Sequence, residues 1–105
     1  MSKKKIETYI RFAIKSRNIV YGIDKIKLRL RQIKLIIADK TLSDNSLKKA
    51  KLLCNRNNIP LILSDYDLNN ILDTTNCKII GLINPNMANA ILDNVGDGYY
   101  LAEGE

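Results

Sequence analysis

Apolar residues recur at helical spacing near the start of the chain. Ile6, Tyr9, Ile10, Ala13 and Ile14 fall on one face of residues 4–16, with Lys15 and Arg17 at the end where a helix carries its partial negative charge. Asn18-Ile19-Val20-Tyr21 reads as a short extended piece, broken by Gly22. The next segment carries two periods at once. Lys25 through Arg31 alternates strictly, as a half-buried strand does, while Ile23, Ile26, Leu30 and Ile33 form a helical stripe. A strand here would have to run into the following apolar segment with no turn residue between them, which favours a helix ending near Gln32.

Leu35-Ile36-Ile37-Ala38 is an unbroken apolar run closed by Asp39, the pattern of a strand buried on both faces. Ser43 is placed to cap a helix, with Leu42 and Leu47 as a hydrophobic staple, Leu47, Ala50, Leu53 and Cys54 on its inner face, and Asn57-Asn58 as a left-handed stop. Pro60 opens a short strand, Leu61–Leu63. Ser64-Asp65 starts a short helix through Leu68, Ile71 and Leu72. Lys78–Leu82 reads as a third buried strand, and Asn84-Pro85 begins a last helix to about Leu92. Helices alternating with buried strands predict a three-layer α/β/α sandwich with a central mixed sheet of about four strands. Residues 1–93 form a single domain on this reading, and residues 94–105 an acidic, flexible C-terminal tail.

Charge changes the picture more than composition does. Of 17 Lys and Arg residues, 16 lie between Lys3 and Arg56, against four carboxylates, a balance of +12 over residues 1–56. Residues 57–105 hold one lysine and seven carboxylates, a balance of −6. Folding does not require such a split, whereas a one-sided basic field attracts polyanions. The plain alternative is a solvated surface on which lysines happen to cluster.

The chain has no histidine, which removes His-based acid–base and nucleophile pairs and most zinc geometries. It has no tryptophan and one phenylalanine, so a broad aromatic stacking platform is not expected. Gly96-Asp97-Gly98 lacks the Lys-Ser/Thr sequel of a phosphate loop. No catalytic residue, metal ligand or cofactor is expected. No apolar run reaches the ~18 residues of a membrane span. Cys54 and Cys77, without a CxxC spacing, read as buried free thiols, which fits the cytoplasm.

The order of several segments resembles the small kink-turn RNA-binding ribosomal-protein family (archaeal ribosomal protein "L seven Ae" and relatives), nearest its bacterial YlxQ-like branch. The resemblance covers about residues 3–93. It rests on Lys5-Ile6-Glu7, the Ser16-Arg17-Asn18 turn, Val20-Tyr21-Gly22, Lys34 through Asp39, Cys54 with Asn58-Ile59-Pro60, Asp67-Leu68 and Ile79-Ile80-Gly81. It implies a helix after Gly22, no enzymatic activity, and binding of structured RNA, with the ribosome as one possible setting.

In that family two places grip the RNA. The first is the start of the second helix, matched here by Gly22 and Asp24, with Lys25 where a second polar residue stands and Leu28 at the place of a lysine, between Lys27 and Arg29. The second is a loop matched by Leu68, Ile71 and Leu72, with Asn69 and Asp73 at the places of two glycines. With the neighbouring turn and cations added, the expected RNA surface is Arg17, Asn18, Gly22, Asp24, Lys25, Lys27, Leu28, Arg29, Arg31, Asn69, Ile71 and Leu72.

The residue chemistry points the same way. A glycine opening a helix permits close approach and offers N–H donors with a positive dipole. The cations suit phosphates, and Asp24 suits a base amino group. Leu28 is either a core residue or an exposed apolar contact. Gly22 reads equally as a plain helix-opening turn. The expectation is a monomeric structured-RNA binder. A protein-interaction module on the same fold, motivated by the altered loop and the acidic tail, is the alternative.

Overall fold

Leu35–Asp39 (β2), the most continuous apolar run, is buried along its whole length and lies at the centre of a five-stranded mixed sheet. The computed structural model of the chain describes residues 2–72 and 76–102. The other strands are Ile19–Tyr21 (β1), Leu61–Ser64 (β3), Ile79–Leu82 (β4) and Tyr99–Leu101 (β5), in the order β1-β4-β2-β3-β5. β2 and β3 are parallel, joined by the crossover helix Asp44–Asn57 (α3), and the other pairs are antiparallel.

Alternation along β2 divides the core. Leu35 and Ile37 face a cluster with Ile6, Ile10 and Ala13 of α1 (Ser2–Lys15) and Ala88 and Ile91 of α4 (Pro85–Leu92). Ile36 and Ala38 face Ile26 of α2 (Ile23–Leu28) and Ala50 and Cys54 of α3. The three-layer α/β/α sandwich thus follows from period-2 strands covered by period-3.6 helices on both faces. Each fully buried isoleucine or leucine contributes roughly 1.5–3 kcal/mol.

Local signals set the element ends. Ser43 Oγ accepts from the Ser46 N–H, and Asn84 Oδ1 accepts from the Asn86 and Met87 N–H groups with Pro85 at the first helical position. Asn58 closes α3 in the left-handed region. α1 ends in a Schellman motif: the Asn18 N–H reaches the Ala13 carbonyl, the Arg17 N–H reaches Ile14, and Arg17 sits at φ 60°.

Several expectations need correction. The helix after Gly22 stops at Leu28, Arg29 leaves the helical region, and a separate 3₁₀ turn covers Leu30–Gln32. The stripe still works as packing: Ile26 and Ile33 are buried, and Ile23 and Leu30 lean on the same cluster. The short helix expected from Ser64-Asp65 is only a 3₁₀ turn at Leu68–Asn70, capped by the Asp67 side chain.

The expected flexible tail is, over Tyr99–Leu101, a strand paired with β3, which raises the strand count to five. Tyr99 is wholly buried, its ring 5.3 Å from that of Tyr66, and the Tyr66 hydroxyl donates to the Asp97 carbonyl at 2.6 Å. Gly98, at φ +94°, leaves room for Tyr66, since a Cβ there would come within 2.6 Å of its ring. Tyr99–Leu101 therefore belong to the sheet, and Tyr99 to its core. Residues 103–105 lie outside the described residues.

Two features of the sheet bear on the surface above it. Asp39, 2 % exposed, accepts hydrogen bonds from the Thr41 N–H and hydroxyl and from the Leu68 N–H, tying the turn after β2 to the loop after β3. Gly81 lies under the α2 layer, where a Cβ would stand 2.9 Å from Ile33 Cδ1 and 3.2 Å from Ile26 Cγ1.

Candidate nucleic-acid interface

Gly22 adopts φ 85°, ψ 151°, a backbone conformation essentially reserved for glycine. Its N–H donates to the Ile79 carbonyl at 3.0 Å, fastening the end of β1 to β4, and its carbonyl accepts from the Ile26 N–H at 3.1 Å. A Cβ at this position would meet nothing within 4 Å. Glycine is needed here for the torsion, and the space above it is open to a partner. α2 has only six residues, and no side chain caps its start. The first N–H groups of α2 are left without a side-chain partner, and because so short a helix has a weak dipole the chemistry rests chiefly on side chains.

From Gly22 the chain doubles back alongside β1. Lys25, Leu28 and Arg29 line a groove of about 290 Å³ with Ile19, Val20 and Tyr21. Asp24, Lys25, Lys27, Arg29 and Arg31 are exposed to varying degrees, and Leu28 is 85 % exposed. Leu28 is thus a surface residue, which resolves the sequence ambiguity. Arg29 is held: its Nε and Nη2 both donate to Gln32 Oε1, at 3.0 and 2.7 Å. Arg17 is exposed at the far end of β1. The Asn18 amide donates to Ser16 Oγ and its carbonyl accepts from the Ile83 N–H, so Asn18 chiefly shapes the turn.

Cys77 joins the second expected grip to the first. Its N–H donates to Asn69 Oδ1 at 3.1 Å, and its thiol donates to the Ile79 carbonyl at 3.2 Å. Burial raises the thiol pKa, while the backbone of Ile79 and Gly22 lowers it, with a further lowering from the Lys25 charge. The Asn69 loop and the Gly22 turn therefore meet around one cysteine.

The apolar half of that grip differs from expectation. Ile71 and Leu72 are 8 % and 7 % exposed and belong to the core cluster under α1 and α4, so they offer no apolar surface to a ligand. The loop dips inward because Leu68, fully buried, is drawn down by the bond from its N–H to Asp39. Asp73 lies outside the described residues.

Sequence reasoning overlooked Gln32, Lys34, Asn57 and Asn58. They line a second groove, with Lys27, Arg29 and Arg31, on the other side of Leu28. Lys34 was legible as one more cation in the basic half. The asparagines signalled only a helix stop.

No protein-family signature matches the chain, and no curated protein matches it. Solved structures do. A Bacillus halodurans protein described as of unknown function superposes with a TM-score of 0.78 at 16 % identity, over 85 % of this chain and 94 % of that one. The likeness is one of fold. Among the described residues no helix is long and apolar enough to cross a membrane, and no cluster of metal-ligating side chains occurs.

Proposed function

We propose that this chain binds structured RNA, of the kink-turn or ribosomal kind, without catalysing a reaction. The observation that carries this reading is the exposed strip from Lys25 to Arg31. It presents four cations and the protruding Leu28 beside a glycine with open space above it. Cations on such a strip suit phosphates and fix register, Leu28 suits the face of an unstacked base, and Asp24 suits a base amino group. The resemblance to the kink-turn family supports the same surface, with Asn69 reaching it through Cys77 and without side-chain contacts from Ile71 and Leu72.

Filter binding of a kink-turn RNA and an unrelated duplex at two salt concentrations tests the reading. Lys25→Ala with Lys27→Ala should weaken both RNAs and lower the salt slope by about 1 for each phosphate that is no longer neutralised. Asp24→Ala should instead narrow the preference for the kink-turn, by roughly 1–3 kcal/mol if it reads a base edge. A folded Lys25/Lys27 double variant that binds RNA as the parent does would favour the second reading, a protein-interaction module on this fold. The exposed Leu28 also suits that reading, because a large apolar side chain at an interface need not face a base.

A further inference from the structure

Leu28 and Arg29 stand between two grooves, since both residues line each of them. The smaller groove runs along β1. The larger, about 790 Å³, lies between the α2–3₁₀ segment and the C-terminal end of α3. Its floor is the buried pair Ile33 and Ile59, and its far wall is Asn57 and Asn58. Lys27, Arg29, Arg31 and Lys34 are its charged residues, all exposed, and no carboxylate lines it among the described residues. The C-terminal carbonyls of α3 bring about half a negative charge to the far wall, which four full cations outweigh.

Within this groove Arg29 is pre-positioned. Gln32 Oε1 takes two of its five N–H donors and fixes the plane of the guanidinium, leaving three for an anion. Cations spread from Lys27 to Lys34 exceed what one isolated phosphate can use, and they match a chain of phosphates. The shared ridge makes the large groove the immediate neighbour of the β1 groove.

We infer that the groove between the α2–3₁₀ segment and α3 holds a second stretch of RNA phosphate backbone, so that one folded RNA straddles the Leu28–Arg29 ridge. This rests on the RNA reading above and extends it to Lys34, Gln32 and the Asn57–Asn58 wall. The ligand must then present backbone on both sides of the ridge, as a bent or hairpin RNA does and a short single strand does not.

The test uses the full chain and a fluorescein-labelled kink-turn RNA, followed by anisotropy over a salt series and by NMR of the Asn57 and Asn58 side-chain amides. Arg31→Ala with Lys34→Ala, both at exposed positions, should leave the fold intact and lower the salt slope by about 1 for each phosphate released. Gln32→Leu should weaken binding about two- to tenfold with the slope unchanged, because it frees Arg29 without removing a charge. RNA should shift the Asn57 and Asn58 amides in the parent. It should still shift them at saturation in Lys25→Ala, which alters only the β1 groove.

A parent-like slope in the Arg31/Lys34 variant, with unmoved asparagine amides, would overturn the inference while a weakened Lys25→Ala kept the RNA reading alive. Parent-like RNA binding in both variants would remove both. If polyglutamate shifts these amides and RNA does not, the groove serves an acidic protein and the inference falls.

Discussion

The two edges of the sheet are built on opposite terms. At the β1 edge the chain turns its side chains outward. α2 is short, its cations and Leu28 are exposed, and Gly22 holds a torsion that only glycine adopts easily. At the β5 edge the chain turns inward. Tyr99 is wholly buried, Tyr66 packs on it and donates to Asp97, and Lys3 Nζ lies 4.3 Å over the Tyr66 ring. Even the outer side of β5 is partly used, because Gly96 and Tyr99 exchange backbone hydrogen bonds.

The cations of the α2 strip and the carboxylates at the β5 edge, Asp65 and Asp97, thus lie on opposite edges of the sheet. Four strand spacings separate β1 from β5, about 19 Å. That is more than twice the Debye length of ~8 Å at physiological ionic strength. Carboxylates at one edge leave the field at the other largely intact.

The strongest way to break this comparison is to attack the inward edge. Tyr99→Ala should cost about 3–5 kcal/mol in urea denaturation, the usual range for removing a buried aromatic. A chain ending at residue 94 should lose its cooperative transition instead of binding RNA more tightly. A cost under about 1 kcal/mol for Tyr99→Ala would mean that β5 is an appendage.

At the outward edge, Gly22→Ala should cost roughly 1–3 kcal/mol, all of it from backbone strain, because nothing crowds the new methyl. Lys25→Ala with Lys27→Ala should change stability by no more than about 0.5 kcal/mol. Equal losses from the glycine and the lysines would contradict the division between a strained scaffold and a free surface.

Leu28→Ala sharpens the contrast further. It should be neutral in the melt and should cost RNA affinity about 1 kcal/mol or more if a base covers the side chain.

The smallest effect is a pH dependence seated in the core, away from both edges. Burial pushes the Cys54 thiol up to about 11 from 9.0. Its contribution to stability is therefore full below pH 9, where the unfolded thiol also stays protonated, and is lost as pH rises toward 11. Urea midpoints at about pH 8 and about pH 10 should differ less in Cys54→Ala than in the parent. Both cysteines are free and buried, so native-state thiol labelling near neutral pH should be slow and labelling in urea complete.

The fold was legible wherever one local rule governed. The continuous apolar runs marked β2, β3 and β4, and Ser43, Asn58 and Asn84 marked helix ends through their own side-chain or backbone preferences. Long-range partners hid the rest. Tyr99 belongs to the core because Tyr66, Ser64 and Glu7 surround it, and nothing within residues 94–102 says so. Ile71 and Leu72 looked like an exposed contact because only the tie from Asp39 to Leu68, across 29 residues, reveals that their loop turns inward. The cations of the candidate surface could be read directly from the sequence. Its second groove could not, because that groove exists only where a helix end from one part of the chain meets a 3₁₀ turn from another.

The missing methyl at Gly81 gives the sheet a mechanical say in what the surface can hold. Ile33 and Ile26 sink into the space a side chain would occupy, and the whole α2–3₁₀ strip rides on those two isoleucines. Alanine at position 81 would act as a shim, lifting the strip outward by a few tenths of an ångström and changing the height of the Leu28–Arg29 ridge from beneath, without touching any charge on it. Valine at position 33 would relieve the tightest of these contacts and leave the one with Ile26. The pair forms an adjusting screw for the distance between the two grooves, set from inside the core and read out only by whatever ligand must span them both.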